Sequence, residues 1–298
     1  MRLSRGRQAA NCGILIVHSR EVSVWPSAVI RILLVAAVGA SCANARSEHG
    51  ARDVTLIEGA ESESRLGAAV TVLSGLGQNC SRWIAIGAPG LLSRKSRGRV
   101  HIVSLADGAC GPTIEGRRGL FGDTVARIGD LDGDGRDDLI VGAPRAEDAA
   151  GSMAGMVGAY SSSLGTPLWV AWGPFSYGEF GRALVVIDDV DGDGTQDVAV
   201  GCPGAGAETG PRSQGVVLVL SGKDGSVLRS LRSVSGELEF GAALSYLGFG
   251  GDSHGGVLAV GAPISYAYPS PGRVIGVDTE SGERLWTWVP RDPDARCA

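Results

Sequence analysis

A string that occurs twice constrains this chain more than anything else in it. Residues 121–144 read FGDTVARIGDLDGDGRDDLIVGAP, and residues 180–203 read FGRALVVIDDVDGDGTQDVAVGCP. Two weaker copies flank the pair. One carries Leu66-Gly67 and Ile86-Gly87-Ala88-Pro89, the other Phe240-Gly241 and Val260-Gly261-Ala262-Pro263. Gly87, Gly142, Gly201 and Gly261 follow one another at intervals of 55, 59 and 60 residues. Self-similarity at a near-fixed period marks a repeat architecture, in which each unit buries its apolar face against its neighbours.

The acidic run inside the string has its own chemistry. Asp130, Asp132, Asp134 and Asp138 occupy loop positions 1, 3, 5 and 9, with Gly135 at position 6 for a sharp turn. Arg136 at position 7 offers its main-chain carbonyl. The second copy repeats the set with Asp189, Asp191, Asp193, Gly194, Thr195 (carbonyl) and Asp197. Hard oxygen ligands at this spacing suit calcium, which takes six to eight oxygens in a flexible cage. Carboxylates crowded on one tight loop repel one another unless a cation neutralises them. An EF-hand would need a bidentate Glu at position 12 and helical flanks. Val141 and Val200 stand there, and the flanks are short β-branched runs bounded by Gly and Pro, which read as strands. In the flanking units the ligand positions fall on Gly75, Gly77, Asn79 and Trp83, and on Phe249, Gly251, Ser253 and Val257. Neither set supplies carboxylates, so two ions per chain are expected, not four.

No long stretch shows helical periodicity, and the 47 glycines punctuate many short apolar runs. Each unit holds four such runs. In the third they are residues 183–187, 198–200, 216–220 and 227–231, the last two joined by the turn Ser221-Gly222-Lys223-Asp224-Gly225. Four antiparallel strands per unit describe a propeller blade. The expected fold is therefore all-β: a β-propeller, or an open propeller arc, of about four blades at residues 60–116, 117–172, 176–232 and 236–290. A further run at 54–58 reads as an outer strand without its own blade, able to complete the last blade or cap an open arc.

Phe-Gly, D-x-D-x-D-G-x-x-D and Gly-Ala-Pro in this order resemble the FG-GAP repeats of the integrin α-subunit head and of many secreted bacterial proteins. The resemblance covers residues 60–290. It implies a β-propeller with calcium held between a blade's first and second strands, and a binding or adhesion role without catalysis. Carried over by position, it implies the ten metal ligands already named. Integrin-like propellers have seven blades and this chain supplies four, so a small ring, an open arc and pairing with another chain all stay open. An open arc exposes sheet edges and permits self-association.

Residues 1–45 read as export apparatus. ILLVAAVGA at residues 32–40 has the length of a signal-peptide core, Arg31 precedes it, and Ala43-Asn44-Ala45 provides a cleavage site. The apolar run is too short to span a membrane. Cys42 allows lipoprotein anchoring as the lesser alternative, and translation starting near Val22 or Val24 would shorten the long upstream segment. Localisation is expected to be secreted, cell-surface or periplasmic. The segment carries five arginines and one glutamate, so its removal takes the net charge from −5 to −9. That argues against nucleic acid as a partner. Export permits disulfides, and Cys80 with Cys110 is the favoured pair, whereas Cys202 reads as a small core residue.

Beyond residue 45 the histidines are His49, His101 and His254, none in a catalytic motif, and the Asp loops account for the dense acidic clusters. The expectation is a non-enzyme with a protein or carbohydrate ligand. The alternative is a quinone-cofactor propeller dehydrogenase, whose outer-strand G-x-x-L-W resembles Gly165–Trp169 and Gly282–Trp286. Trp169, Trp172, Trp286 and Trp288 are instead read as packing between blades. Loops joining second to third strands emerge opposite the metal loops. They nominate Arg94, Lys95, Tyr266 and Tyr268 as partner-binding residues.

Overall fold

The computed structural model describes residues 14–15, 34–35, 54–57, 64–74, 83–90, 97–105, 109–206, 214–233, 237–248, 256–263 and 272–290. Nineteen strands and no helix occur among them. The first three, β1 (Ile14–Leu15), β2 (Leu34–Val35) and β3 (Val54–Ile57), form a small antiparallel sheet in the order β1-β3-β2. The strand at 54–57 therefore does not complete the last blade. Its backbone hydrogen bonds go to two strands upstream of it.

The remaining sixteen strands make four antiparallel sheets of four. The first blade is β4 (Val70–Leu73), β5 (Trp83–Ala88), β6 (Arg99–Ser104) and β7 (Cys110–Glu115). The second is β8 (Thr124–Ile128), β9 (Asp138–Ala143), β10 (Met156–Tyr160) and β11 (Pro167–Trp172). The third is β12 (Leu184–Ile187), β13 (Asp197–Cys202), β14 (Val216–Leu220) and β15 (Val227–Arg232). The fourth is β16 (Ala243–Leu247), β17 (Val257–Ala262), β18 (Arg273–Asp278) and β19 (Arg284–Trp288). In every blade the strands pair in chain order, and the third strand bulges against the fourth near the hairpin. A bulge at the same place each time sharpens the strand twist. The innermost strands stand side by side as β4, β8, β12, β16, the order of an open propeller arc.

Composition explains why the second and third strands lie in the middle of each sheet. Period-2 alternation puts successive side chains on opposite faces of a sheet, and β9, β13, β10 and β14 are apolar or small at almost every position. Each can therefore be covered on both sides, and all their residues are buried. One face of a blade meets the blade before it and the other meets the blade after it. Ala85, Val100, Ile102 and Ile114 of the first blade pack on Phe121, Leu139, Val141 and Met156 of the second. Ala199, Val217, Val219 and Leu231 of the third pack on Phe240, Leu258, Val260 and Ile275 of the fourth.

The repeated Phe-Gly and Gly-Ala-Pro are the two halves of each seam. Phe121 is fully buried and lies against Gly98 and Gly116 of the preceding blade, where any Cβ would fall within about 2 Å of it. The following Gly122 adopts φ +87° and donates its N–H to the Gly142 carbonyl of its own blade at 2.9 Å. Its own carbonyl sits over Gly87 of the preceding blade, 2.0 Å from where a Cβ would be. The same contact joins Gly142 to Gly181 and Gly201 to Gly241. Gly261 in the fourth blade has no such neighbour among the described residues: the nearest heavy atom to its would-be Cβ is the Ala243 Cβ, at 3.3 Å.

The outer-strand tryptophans split accordingly. Trp169 and Trp172 are partly buried against the inter-blade clusters, and the Trp169 indole N–H donates to the Gly222 carbonyl of the next blade at 2.7 Å. Trp286 and Trp288, expected to pack in the same way, are instead 45% and 53% exposed. They stand on the fourth blade, on the face turned away from the third. Cys202 is buried in the core, as its place within Gly-Cys-Pro suggests, and burial pushes its thiol up to about 12. Cys80 lies outside the described residues, and with it the expected pairing to Cys110.

Candidate metal centres

The acidic loops join β8 to β9 and β12 to β13, the first and second strands of the two middle blades. Each folds around its first aspartate. Asp130 Oδ1 accepts the N–H groups of Gly133 (2.7 Å) and Asp134 (3.1 Å), and Oδ2 accepts that of Gly135 (2.7 Å). Asp132 and Asp134 each accept an N–H two residues on, from Asp134 and Arg136. The second loop reproduces this network from Asp189 with every distance within 0.1 Å. Gly135 and Gly194 adopt φ +84° and +88°, with open space where a Cβ would be. The loop therefore needs glycine for its left-handed turn and not for room.

The ninth position closes the loop onto the rest of the blade. Asp138 and Asp197 open β9 and β13 and are fully buried. Asp138 Oδ2 accepts the Leu131 N–H at 2.8 Å, and Oδ1 accepts the Ser162 N–H at 3.1 Å from the β10–β11 hairpin. Asp197 does the same with Val190 (2.7 Å) and with Gly222 of the β14–β15 hairpin (3.0 Å). One carboxylate thus ties both turns at that end of its blade together.

In each loop three carboxylates converge. Ligand oxygens of Asp130, Asp132 and Asp138 lie within 4.8 Å of one another, and so do those of Asp189, Asp191 and Asp197. Two oxygens on opposite sides of an ion bound at about 2.3–2.6 Å would be about 4.6–5.2 Å apart, so the spacing fits a hard cation. The electrostatics fit as well. Burial pushes Asp138 above the ordinary carboxylate range; the Leu131 and Ser162 N–H groups pull it back in part, and the charges of Asp132 and Asp134 push it further up. Asp197 is raised by the same causes, first burial, then the charges of Asp191 and Asp189 against the N–H groups of Val190 and Gly222. The Gly135 N–H, then those of Gly133, Asp134 and Asp132, hold Asp130 below its usual value against desolvation. At Asp189 desolvation is the largest influence, and the N–H groups of Gly194, Gly192 and Asp193 together outweigh it and lower the value. A buried carboxylate whose partners are neutral N–H groups, with two further carboxylates beside it, is a site short of positive charge.

Asp134 and Asp193 are on the same loops but stand outside the converging groups. Asp134 Oδ2 accepts the hydroxyl of Ser163, whereas Asp193 Oδ2 lies 3.8 Å from the Lys223 ammonium. Ser163 and Lys223 occupy the same place in their hairpins, and sequence reading passed over both. Arg136 and Thr195 sit at the seventh position with their N–H groups on Asp134 and Asp193. In the flanking units, Trp83 and Val257 take the place of the buried aspartate. Trp83 packs on the core there instead of offering a ligand.

At the opposite end of the strands, a cleft of roughly 210 Å³ is lined by Arg65, Leu120, Asp123, Arg145, Glu179 and Arg182, with Pro144. Asp123 pairs with Arg182 at 3.2 Å and with Arg65 at 3.6 Å, and Glu179 pairs with Arg145 at 3.1 Å. Asp123 and Arg182 both directly follow a Phe-Gly, so opposite charges at one repeat position face each other across a seam. That recurrence was the available signal for this network. Arg94, Lys95, Tyr266 and Tyr268, expected at this end, lie outside the described residues.

Comparison with known proteins matches the FG-GAP repeat to residues 121–154 and 180–220, the two units that carry the acidic loops. Integrin alpha-IIb of Homo sapiens is 38% identical over 112 residues, covering 35% of this chain and 10% of its own length. Integrin alpha-PS5 of Drosophila melanogaster is 39% identical over 101 residues, 32% of this chain and 10% of its own. Integrin alpha-4 of Xenopus laevis is 31% identical over 156 residues, 46% and 14%. The chain thus spans about a tenth of the length of the curated relatives it matches.

Proposed function

We propose that this chain, which carries FG-GAP repeats and is similar to integrin alpha chains, is an exported, calcium-stabilised propeller module that binds a protein partner and performs no catalysis. The observation that carries the reading is the pair of acidic loops with one shared hydrogen-bond network, each bringing three carboxylates within reach of one ion. Asp130, Asp132 and Asp138, with Asp134 and the Arg136 carbonyl in support, would hold one calcium ion. Asp189, Asp191 and Asp197, with Asp193 and the Thr195 carbonyl, would hold the other. Bound ions would supply the missing positive charge and fasten each first turn to its hairpin through Asp138 or Asp197. Their role is structural, because a ligand that binds only the folded form stabilises it by mass action.

The partner face is assigned to the end of the strands opposite the metal loops. That end carries the ion-pair cleft from Arg65 to Arg182 and the loop at 145–155, and a rigid scaffold commonly presents recognition loops in this way. Arg94, Lys95, Tyr266 and Tyr268 belong to loops of the same end by connectivity. Secretion or surface display is supported by the signal-like segment at 32–45. No helix among the described residues is long and apolar enough to cross a membrane.

The test is calcium titration followed by capture. Immobilised calcium-loaded chain is presented with surface extract of the producing cells, untreated, protease-treated or glycosidase-treated. Capture abolished by protease and by charge reversal at Arg145 and Arg182 supports the reading. Capture that survives protease but not glycosidase moves the ligand to carbohydrate. Capture indifferent to both treatments, or absence of bound calcium, overturns it.

A further inference from the structure

The hairpin between a blade's third and fourth strands is held from the blade before it, and one repeat position does the holding. On β7, β11 and β15 the strand registers make Pro112, Trp169 and Arg229 equivalent. Each lies against a glycine of the following hairpin. A Cβ on Gly165 would stand 3.2 Å from Pro112 Cβ, one on Gly225 2.5 Å from the Trp169 ring, and one on Gly282 2.9 Å from Arg229 Nη1. Trp169 and Arg229 also donate a hydrogen bond to the hairpin they cover, Trp169 to the Gly222 carbonyl at 2.7 Å and Arg229 to the Glu280 carbonyl. Pro112 has no donor, on its side chain or its backbone. In the hairpin it faces, the Ser162 hydroxyl is buried with no hydrogen-bond partner among the described residues.

This difference falls on the two acidic loops. The hairpin of the second blade supplies the Ser162 N–H to Asp138, and that of the third supplies the Gly222 N–H to Asp197. Gly222 therefore accepts from the second blade with its carbonyl and donates to a buried carboxylate with its N–H. It is also wedged in place. A Cβ there would stand 1.8 Å from the Gln196 carbonyl oxygen and 2.9 Å from Ile128 Cδ1 of the second blade. Trp169 packs against the cluster that contains Ile128, Val198 and Leu220, which fixes the direction of its N–H.

We infer that Trp169 is a positioning residue for the acidic loop of the third blade: through Gly222 it holds the hairpin that orients Asp197, and so sets that loop's affinity for its cation from across the seam. The inference rests on the calcium reading above. The two loops share a ligand set and a hydrogen-bond network, yet differ in what fixes the buried carboxylate, because Pro112 stands where a clasp for the Asp138 hairpin would be. A ligand group already held in its bound orientation has less freedom to lose when the ion binds, and affinity rises accordingly.

The test is calcium titration of the full chain in two backgrounds, Asp132→Ala, which leaves the second loop, and Asp191→Ala, which leaves the first. Each is followed by calorimetry and by tryptophan emission, with and without Trp169→Phe. That substitution keeps a ring over Gly225 and removes the donor. Loss of one hydrogen bond should weaken the second loop about three- to tenfold and leave the first within about twofold. Filling the second loop should change the emission, and most of that change should vanish with Trp169→Phe. Filling the first loop should give the same response with and without the substitution. A merely structural role would weaken both loops or neither. Equal losses, no loss, or an emission response to the second loop that survives Trp169→Phe overturns the inference and leaves the calcium reading standing. No calcium at either loop of the unsubstituted chain overturns both. Should Trp169→Phe fail to fold, Trp169→Leu, which also lacks the donor, decides by the same comparison.

Discussion

Gly201 lies beneath the backbone of Gly241 so closely that a Cβ on Gly201 would stand 2.0 Å from the Gly241 carbonyl oxygen. Gly241 in turn donates its N–H to the Gly261 carbonyl at 3.0 Å, and nothing comparable covers Gly261 among the described residues. One residue type at one repeat position is thus under very different pressure in neighbouring blades.

Gly201→Ala should therefore cost about 1–3 kcal/mol, since a backbone carbonyl cannot move aside as a flexible side chain can. Gly261→Ala should stay within about 0.5 kcal/mol of the parent. Urea midpoints of the two variants measure the contrast. Equal losses would show that the seam is not what demands glycine.

Calorimetric titration should find two calcium ions per chain, and Asp132→Ala or Asp191→Ala should each remove one while sparing the other. Chelation should lower the melting midpoint, because saturation at a hundred times the dissociation constant is worth about 2.7 kcal/mol per site. Bound calcium that leaves the midpoint unmoved would contradict the structural role.

The two loops differ in their hairpin neighbour, Ser163 beside Asp134 and Lys223 beside Asp193. Lys223 is largely exposed, so its competition with a cation is weak. Lys223→Ser should tighten the second site by roughly two- to fivefold, and Ser163→Lys should weaken the first by a similar factor. Site-resolved calcium titration in the Asp132→Ala and Asp191→Ala backgrounds reads each change separately.

Stability should change with pH in opposite senses with and without calcium. The folded-state values of Asp138 and Asp197 lie above the ordinary 3.8. Without metal, their contribution is complete below 3.8 and is lost as pH rises through the raised values. Asp130 and Asp189 lie below 3.8, so their contribution is present above that value and is lost as pH falls through the lowered ones. Chelated protein should accordingly gain stability on mild acidification from neutrality and lose part of the gain below 3.8. In excess calcium the same acidification should only destabilise, as protons displace the ion. Melting curves across pH, with calcium and with chelator, test the crossing. Parallel curves would remove the buried aspartates from the account.

The blades and the acidic loops were legible because their chemistry is local. Asp130 to Asp138 is nine residues of fixed spacing, and each blade strand is four to six residues bounded by turns. What the sequence left open was set across space. Trp169 and Trp286 follow the same G-x-x-L-W pattern, yet Trp169 reaches the hairpin of the following blade and Trp286 stands 45% exposed on the fourth. The pairing of Asp123 with Arg182 joins residues one repeat apart, and each looks unremarkable within its own unit. The strand at 54–57 echoes an outer strand in composition, and only its backbone partners reveal that it belongs to another sheet.

The glycine seam also bears on ancestry. Because it is made of the same backbone contact at Gly87, Gly142 and Gly201, it is indifferent to how many units stand on either side. Duplication or deletion of a whole unit by recombination would create another seam of the same kind without redesign of any core. Copy number is then left unconstrained by the seam itself.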